Sequence, residues 1–181
     1  MTRATTMRFR LSLFAGALMA LALTWPASAV PEPRALVILD FGIIDTSLGD
    51  TSYHPQDPAD ERRLALTAEV LRAALADHPD YHLVDHAALD DAVAEAAAGR
   101  HLHRCPSCQI AVAKALGAEV ILAGSVRKIS NLILHMSLEL HDVARDQRIA
   151  GGHVNIRGNT DVSWERGARS LLKNQLHLLE D

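Results

Sequence analysis

Residues 34–41 read Arg-Ala-Leu-Val-Ile-Leu-Asp-Phe, an apolar run led by Pro33. A run this short, without helical or two-residue periodicity, describes a strand buried on both faces. Such a strand needs cover above and below, which points to a layered α/β fold with this segment near the middle of a sheet.

The rest of the chain supplies the layers. Gly42 to Ala59, with Gly49, Pro55, Pro58 and several Asp, reads as a long surface loop. Asp60 is placed to cap a helix running to about Asp77, with Leu64, Ala68, Leu71 and Leu75 on one stripe. His78-Pro79-Asp80 ends it. Tyr81 to Val84 is a brief strand, and Asp85 caps a second helix over Ala87–Ala98 that stops at Gly99. Cys105-Pro106 opens a third helix, ending at Gly117, and Glu119 to Val126 is the next strand. Leu132 to Leu140 alternates, with Leu132, Leu134, Met136, Leu138 and Leu140 inward. Arg148 to Arg157 follows as a strand, and Gly151-Gly152 suggests a bulge in it. Ser163 caps a last helix through about Leu179. The expected order is β-α-β-α-α-β-β-β-α, a mixed β-sheet packed with helices.

The first 29 residues read as a cleavable secretory signal peptide. Arg3, Arg8 and Arg10 precede an apolar stretch from Leu11 to Leu23, and Ala27-Ser28-Ala29 is a small-x-small cleavage site. The expectation is a periplasmic protein of one domain, residues 30–181, with no lipid-anchoring Cys after the cleavage site and no later membrane segment. Setting aside Arg3, Arg8 and Arg10, the 18 Lys and Arg fall to 15 against 22 acidic residues, a net charge of −7. Bulk charge of that sign argues against nucleic acid or an anionic lipid surface as partner. It leaves an envelope or periplasmic protein, with the oligomeric state open.

Ala35 to Phe41, Tyr81 to Asp85, and Cys105 to Val126 (C-x-x-C-x-I-A-x-x-L-G-A-E-V-I-L-A-G-S-V) together resemble a group of secreted bacterial proteins of unknown function. The pattern is also similar to the TolB amino-terminal domain and the CsgG periplasmic domain. The resemblance implies an α/β domain used for protein contacts in the cell envelope, and the lack of a recognisable catalytic constellation makes a non-enzymatic accessory or interaction domain the expectation. Some relatives imply an accessory role in periplasmic quinoprotein-type oxidation.

Chemistry-bearing residues are few. Cys105 and Cys108 are the only cysteines, and an oxidising compartment favours a disulfide between them. The C-x-x-C spacing at a helix start also suits thiol redox chemistry. With His101 and His103 the pair offers two imidazoles and two thiolates, a ligand set for zinc or copper(I). No other cofactor is indicated. Covalent haem attachment is disfavoured, because Gln109 stands where that motif needs His. His135 and His141 share the outward face of one strand, where His153 can approach them; solvated or hydrogen-bonded histidines explain them more simply than a surface metal patch. Asp40, Asp45, Asp50, Asp57 and Asp60 gather near the first strand end; loop solvation and helix capping explain them more simply than a cation site or acid–base catalysis. No G-x-S-x-G elbow or phosphate-binding glycine loop is present. The partner surface is expected at the Gly42–Ala59 loop (Asp45, Asp50, Tyr53) or on the strand face carrying His135 and His141.

Overall fold

The computed structural model describes residues 32–179; the expected signal peptide lies outside them. No helix among the described residues is long and apolar enough to cross a membrane.

The apolar run forms one strand, and a second follows it directly. β1 (Arg34–Ile38) and β2 (Gly42–Asp45) both pair in parallel with β4 (Val120–Lys128). Ile38 lies opposite Leu122 and Gly42 opposite Ser125, so four steps along one chain match three along the other. The extra residue, within Leu39–Phe41, is a bulge that reverses which side chains face which layer. Leu36 and Ile38 before it, and Phe41 after it, all enter the same core cluster. The reading of residues 42–59 as loop is thus corrected at its start. Four residues directly after a bulge are too short to show a period of their own.

The sheet order is β3-β1-β4-β5-β6, with β2 beside β1 on β4. β3 (Tyr81–Leu83) is parallel to β1; β5 (Ile133–Asp142) and β6 (Gln147–Arg157) continue antiparallel from β4. This is the mixed, helix-packed sheet expected from the sequence. On one face lie α1 (Pro58–Leu75) and α4 (Asp161–Asn174), closing a core of Leu71, Leu75, Leu122, Met136, Leu138 and the fully buried Trp164. On the other lie α2 (Leu89–Ala97) and α3 (Pro106–Ala115), which bury Val37, Leu39, Ile121 and Val112. The outward side chains of β5 stay partly or fully exposed.

Several boundaries differ from the sequence reading for local reasons. Asp57, not Asp60, caps α1, accepting from Ala59 N–H at 2.8 Å, with Pro58 in the first turn. Thr160, not Ser163, caps α4; Ser163 is the return partner in the capping box. A 3-10 turn over His86–Ala88 precedes α2, and the Asp85 carboxylate accepts from Ala87 N–H. Leu132 precedes β5 and is 72% exposed rather than inward. The β6 irregularity is at Ile149, because Leu140 pairs with Ala150 while His141 pairs with Arg148. Gly152 instead allows the chain after α4 to close down: any Cβ there would meet the Gln175 side chain.

Asp142, at the far end of β5, accepts from Arg145 N–H and from the Arg34 and Arg145 guanidinium groups at 2.8 Å each. The backbone donor above all, then the two arginines, outweigh burial and hold its carboxyl at about 2.

Candidate functional site

Three places hold the chemistry-bearing residues. The first is the end of the sheet where β2 and β4 finish and β5 begins. Here the structure buries charge. Lys128 Nζ lies 2.5 Å from Asp60 Oδ2 and 3.5 Å from Asp45 Oδ2, and all three residues are under 5% exposed. Asp60 Oδ1 accepts from Arg63 Nη1 at 2.9 Å and from Asn159 Nδ2 at 2.7 Å. Asn159 Oδ1 in turn accepts from Trp164 Nε1 at 2.7 Å. Asp45 Oδ1 accepts from the Ser47 N–H and hydroxyl. The frame ties β2, β4, the first turn of α1 and the start of α4 to one another.

Burial alone raises the Asp60 carboxyl, but bonds from Lys128, Asn159 and Arg63, with the Lys128 charge, bring it below its ordinary value. Burial alone lowers the Lys128 ammonium, and Asp60 and Asp45 bring it above its ordinary value. Asp60 and Asp142 bind protons more weakly folded than unfolded, so their stabilisation is complete above the ordinary carboxyl value of 3.8 and is lost as pH falls toward 2. Lys128 acts in the opposite sense: its contribution is present below 10.5 and is lost above it. We expect denaturant midpoints to hold from pH 5 to 9 and to fall progressively below pH ~4; a midpoint unchanged at pH 2 would contradict the frame.

The same end of the sheet carries exposed apolar side chains. The exposed large hydrophobic side chains among the described residues are Leu48, Ile129, Leu132, Ile133, Val162 and Ile149. All but Ile149 lie at this end. Thr46 N–H donates to Lys128 C=O at 2.9 Å, which brings the turn holding Leu48 to the end of β4. Ile129 N–H donates to Ile133 C=O, and Gly158 N–H donates to Leu132 C=O, just before Val162.

Asp45, expected in the partner-binding loop, is corrected to this buried frame at 1% exposure. Asp50 is exposed on the same turn as Leu48. The sequence reading missed Lys128 and Asn159 altogether, yet a signal existed. Lys128 continues the inward parity of Leu122 and Val126, and Asp60 continues the helical stripe of Leu64, Ala68, Leu71 and Leu75. A charge at an inward position marks a paired, buried charge.

The second place is the start of α3. Cys105 and Cys108 form a disulfide with Cα atoms 5.2 Å apart. Both are buried, and Cys105 is the N-cap, its Sγ accepting from Cys108 N–H. In this state both sulfurs are bonded to each other rather than available as thiolates. Among the described residues no group of three or more His, Cys, Asp or Glu is arranged to hold a metal ion. The His101 and His103 rings, 5.7 Å apart, instead pack with the Tyr53 and His54 rings. The Arg104 guanidinium carbon stands 4.0 Å from the Tyr53 ring centroid. The His103 ring lies over Gly42, where any Cβ would collide with it. Burial first, then the charges of His101, Arg104 and His54, lower the His103 value, and its buried Nε2 has no partner among the described residues. His103 should titrate below 6.5 by NMR; a value above 6.5 would contradict this packing. Reducing the disulfide, or replacing both cysteines by Ser, should cost at most ~2 kcal/mol, since the closed loop is so short. Circular dichroism should show the fold retained.

The third place is the open sheet face. The His135 and His153 rings stack at 4.6 Å, and His135 Nδ1 lies 2.9 Å from Asn155 Oδ1. His141 Nε2 lies 3.0 Å from Asp146 Oδ1, on the turn beyond the strand. The structure therefore brings His135 to His153 and draws His141 aside.

The family described as "Protein of unknown function (DUF2380)" matches residues 34–176, and the chain belongs to it. No curated protein matches the chain. Solved structures resemble it in fold. The NMR structure of E. coli LpoB gives a TM-score of 0.50 at 17% identity, over 86% of this chain and 84% of that one. The LpoB C-terminal domain from Salmonella enterica gives 0.47 at 19% identity, over 72% and 87%. TolB from Acinetobacter baumannii gives 0.41 at 9% identity, over 80% of this chain and 29% of that one. The likeness to the CsgG periplasmic domain rests on the sequence pattern alone.

Proposed function

We propose that this member of the family is a non-enzymatic accessory domain of the cell envelope that docks a protein partner through the apolar end of its sheet. The observation that carries the reading is that Leu48, Ile129, Leu132, Ile133 and Val162 are exposed at the sheet end that the buried ionic frame holds. Single exposed apolar side chains are ordinary, whereas several at one end of a domain mark a contact surface. The polar groups beneath are committed to one another: Asp60 accepts three bonds and Lys128 bridges two carboxylates. Groups so engaged hold a surface in shape and are poorly placed to move protons.

The envelope location follows from the export signal read in residues 1–29. Support of periplasmic quinoprotein-type oxidation is the finer role, drawn from the family resemblance. Zinc or copper(I) ligation by His101, His103, Cys105 and Cys108 is the alternative and requires the reduced pair. Intact native mass separates them: a metal-free chain two hydrogens light supports the accessory domain, and a metal-loaded dithiol supports the alternative. The docking reading is tested by affinity capture from envelope extract with the chain and with Leu48→Ser/Leu132→Ser. A partner held by the first and lost by the second supports it; equal recovery refutes it.

A further inference from the structure

β3 stops before β1 does. Their register ends at the Leu36–Leu83 pair, one more hydrogen bond runs from Val84 N–H to Leu36 C=O, and β1 continues to Ile38. Where a longer β3 would lie there is a cavity of about 210 Å³. Leu36, Val37 and Ile38 all line it. Successive strand side chains point to opposite faces, so the cavity meets the sheet edge-on, between the two helical layers. Leu83, Val84 and Leu89 complete an aliphatic wall, and the one other lining residue is Arg72 of α1.

Among the described residues, the buried Arg72 Nη1 finds no hydrogen-bond partner. A guanidinium stays charged at every physiological pH. Leaving one of its donors unpaired away from water is costly, and native proteins rarely do so. The other side chains of this lining are all apolar. A carboxylate matches the guanidinium in charge and geometry.

We propose that this slot at the sheet edge binds a small aliphatic monocarboxylate, its carboxylate on Arg72 and its tail along Leu36, Ile38, Leu83 and Leu89. The size follows from the volume. A dry apolar cavity of roughly 150 Å³ holds benzene, so this one suits about six to eight non-hydrogen atoms, the range from butyrate to hexanoate. The aliphatic wall offers no second cation for a diacid and no polar side chain for a sugar. The slot lies at the β1–β3 edge and the apolar end lies beyond β2 and β4, and neither proposal depends on the other.

The test is titration of the full chain with hexanoate and with hexanamide, which has the same shape without the charge, followed by amide NMR. Hexanoate should bind saturably and shift Val37, Ile38, Leu83 and Val84, with hexanamide roughly tenfold weaker or worse. Arg72→Met should weaken hexanoate by about tenfold or more and leave the ligand-free chain at least as stable, since the unpaired nitrogen is gone. Arg72→Lys should fall between. The proposal is overturned by no shift at those residues, by equal binding of acid and amide, or by Arg72→Met losing stability while hexanoate affinity is unchanged. The acid-to-amide ratio on the unaltered chain decides the matter even where a variant folds poorly.

Discussion

Lys128→Met should cost about 3–5 kcal/mol, the loss expected when one partner of a buried ion pair is removed and the other is left charged. Asp45 and Asp60 would keep two carboxylates at 1% and 0% exposure with their shared ammonium gone. Arg63 and Asn159 still reach Asp60 Oδ1, but Oδ2 would lose its 2.5 Å contact. A domain of this size shifts its melting temperature by roughly 2–4 °C per kcal/mol, so the drop should be about 6–20 °C. Adding Asp45→Asn and Asp60→Asn to Lys128→Met should recover most of it, because no unpaired charge then stays buried. Urea denaturation of the single and triple variants checks both statements. A single-variant cost below about 1 kcal/mol, the range of exposed pairs, would show that the frame is not coupled as its geometry implies.

The parts of this fold that were legible in the sequence are those with a strong period. The inward Leu134, Met136, Leu138 and Leu140 and the stripe of α1 fall where alternation and helical spacing put them. Both misplaced helix starts were wrong by three residues for one reason. Asp57 and Asp60, like Thr160 and Ser163, place cap-forming residues at both the N-cap and the third helical position. Composition alone does not say which of the two accepts. β2 was hidden because the bulge at Leu39–Phe41 reverses the alternation that would have revealed it.

The apolar end was hidden for a different reason. Leu48, Leu132 and Val162 are each unremarkable in sequence, and their proximity arises only when β2 and β4 run parallel and finish together. The residues chosen from sequence for contact were polar or aromatic. Of these Asp45 is buried, Tyr53 packs against His101 and His103, and Asp50 alone shares the turn with Leu48.

Replacing Leu48 and Leu132 together by Asp should abolish docking while leaving the domain intact. The two side chains are 78% and 72% exposed, so the fold gains little from them, and substitutions at such positions usually change stability by less than about 0.5 kcal/mol each. A contact surface centred on them would instead bury two carboxylates against apolar atoms. Loss of well-packed anchors typically weakens binding by about 2–4 kcal/mol, roughly thirty- to a thousandfold. Ile149→Asp, at the opposite end of the sheet and 48% exposed, is the matched control and should leave binding unchanged. Parallel thermal melts distinguish a lost surface from a lost fold.

The most direct measurement places a photo-crosslinking amino acid at position 132, and separately at position 149, in the chain produced in its own cells. The docking account predicts one discrete protein adduct from position 132 and none from position 149. Adducts at 149 with none at 132 would contradict it and move the contact surface to the other end of the sheet.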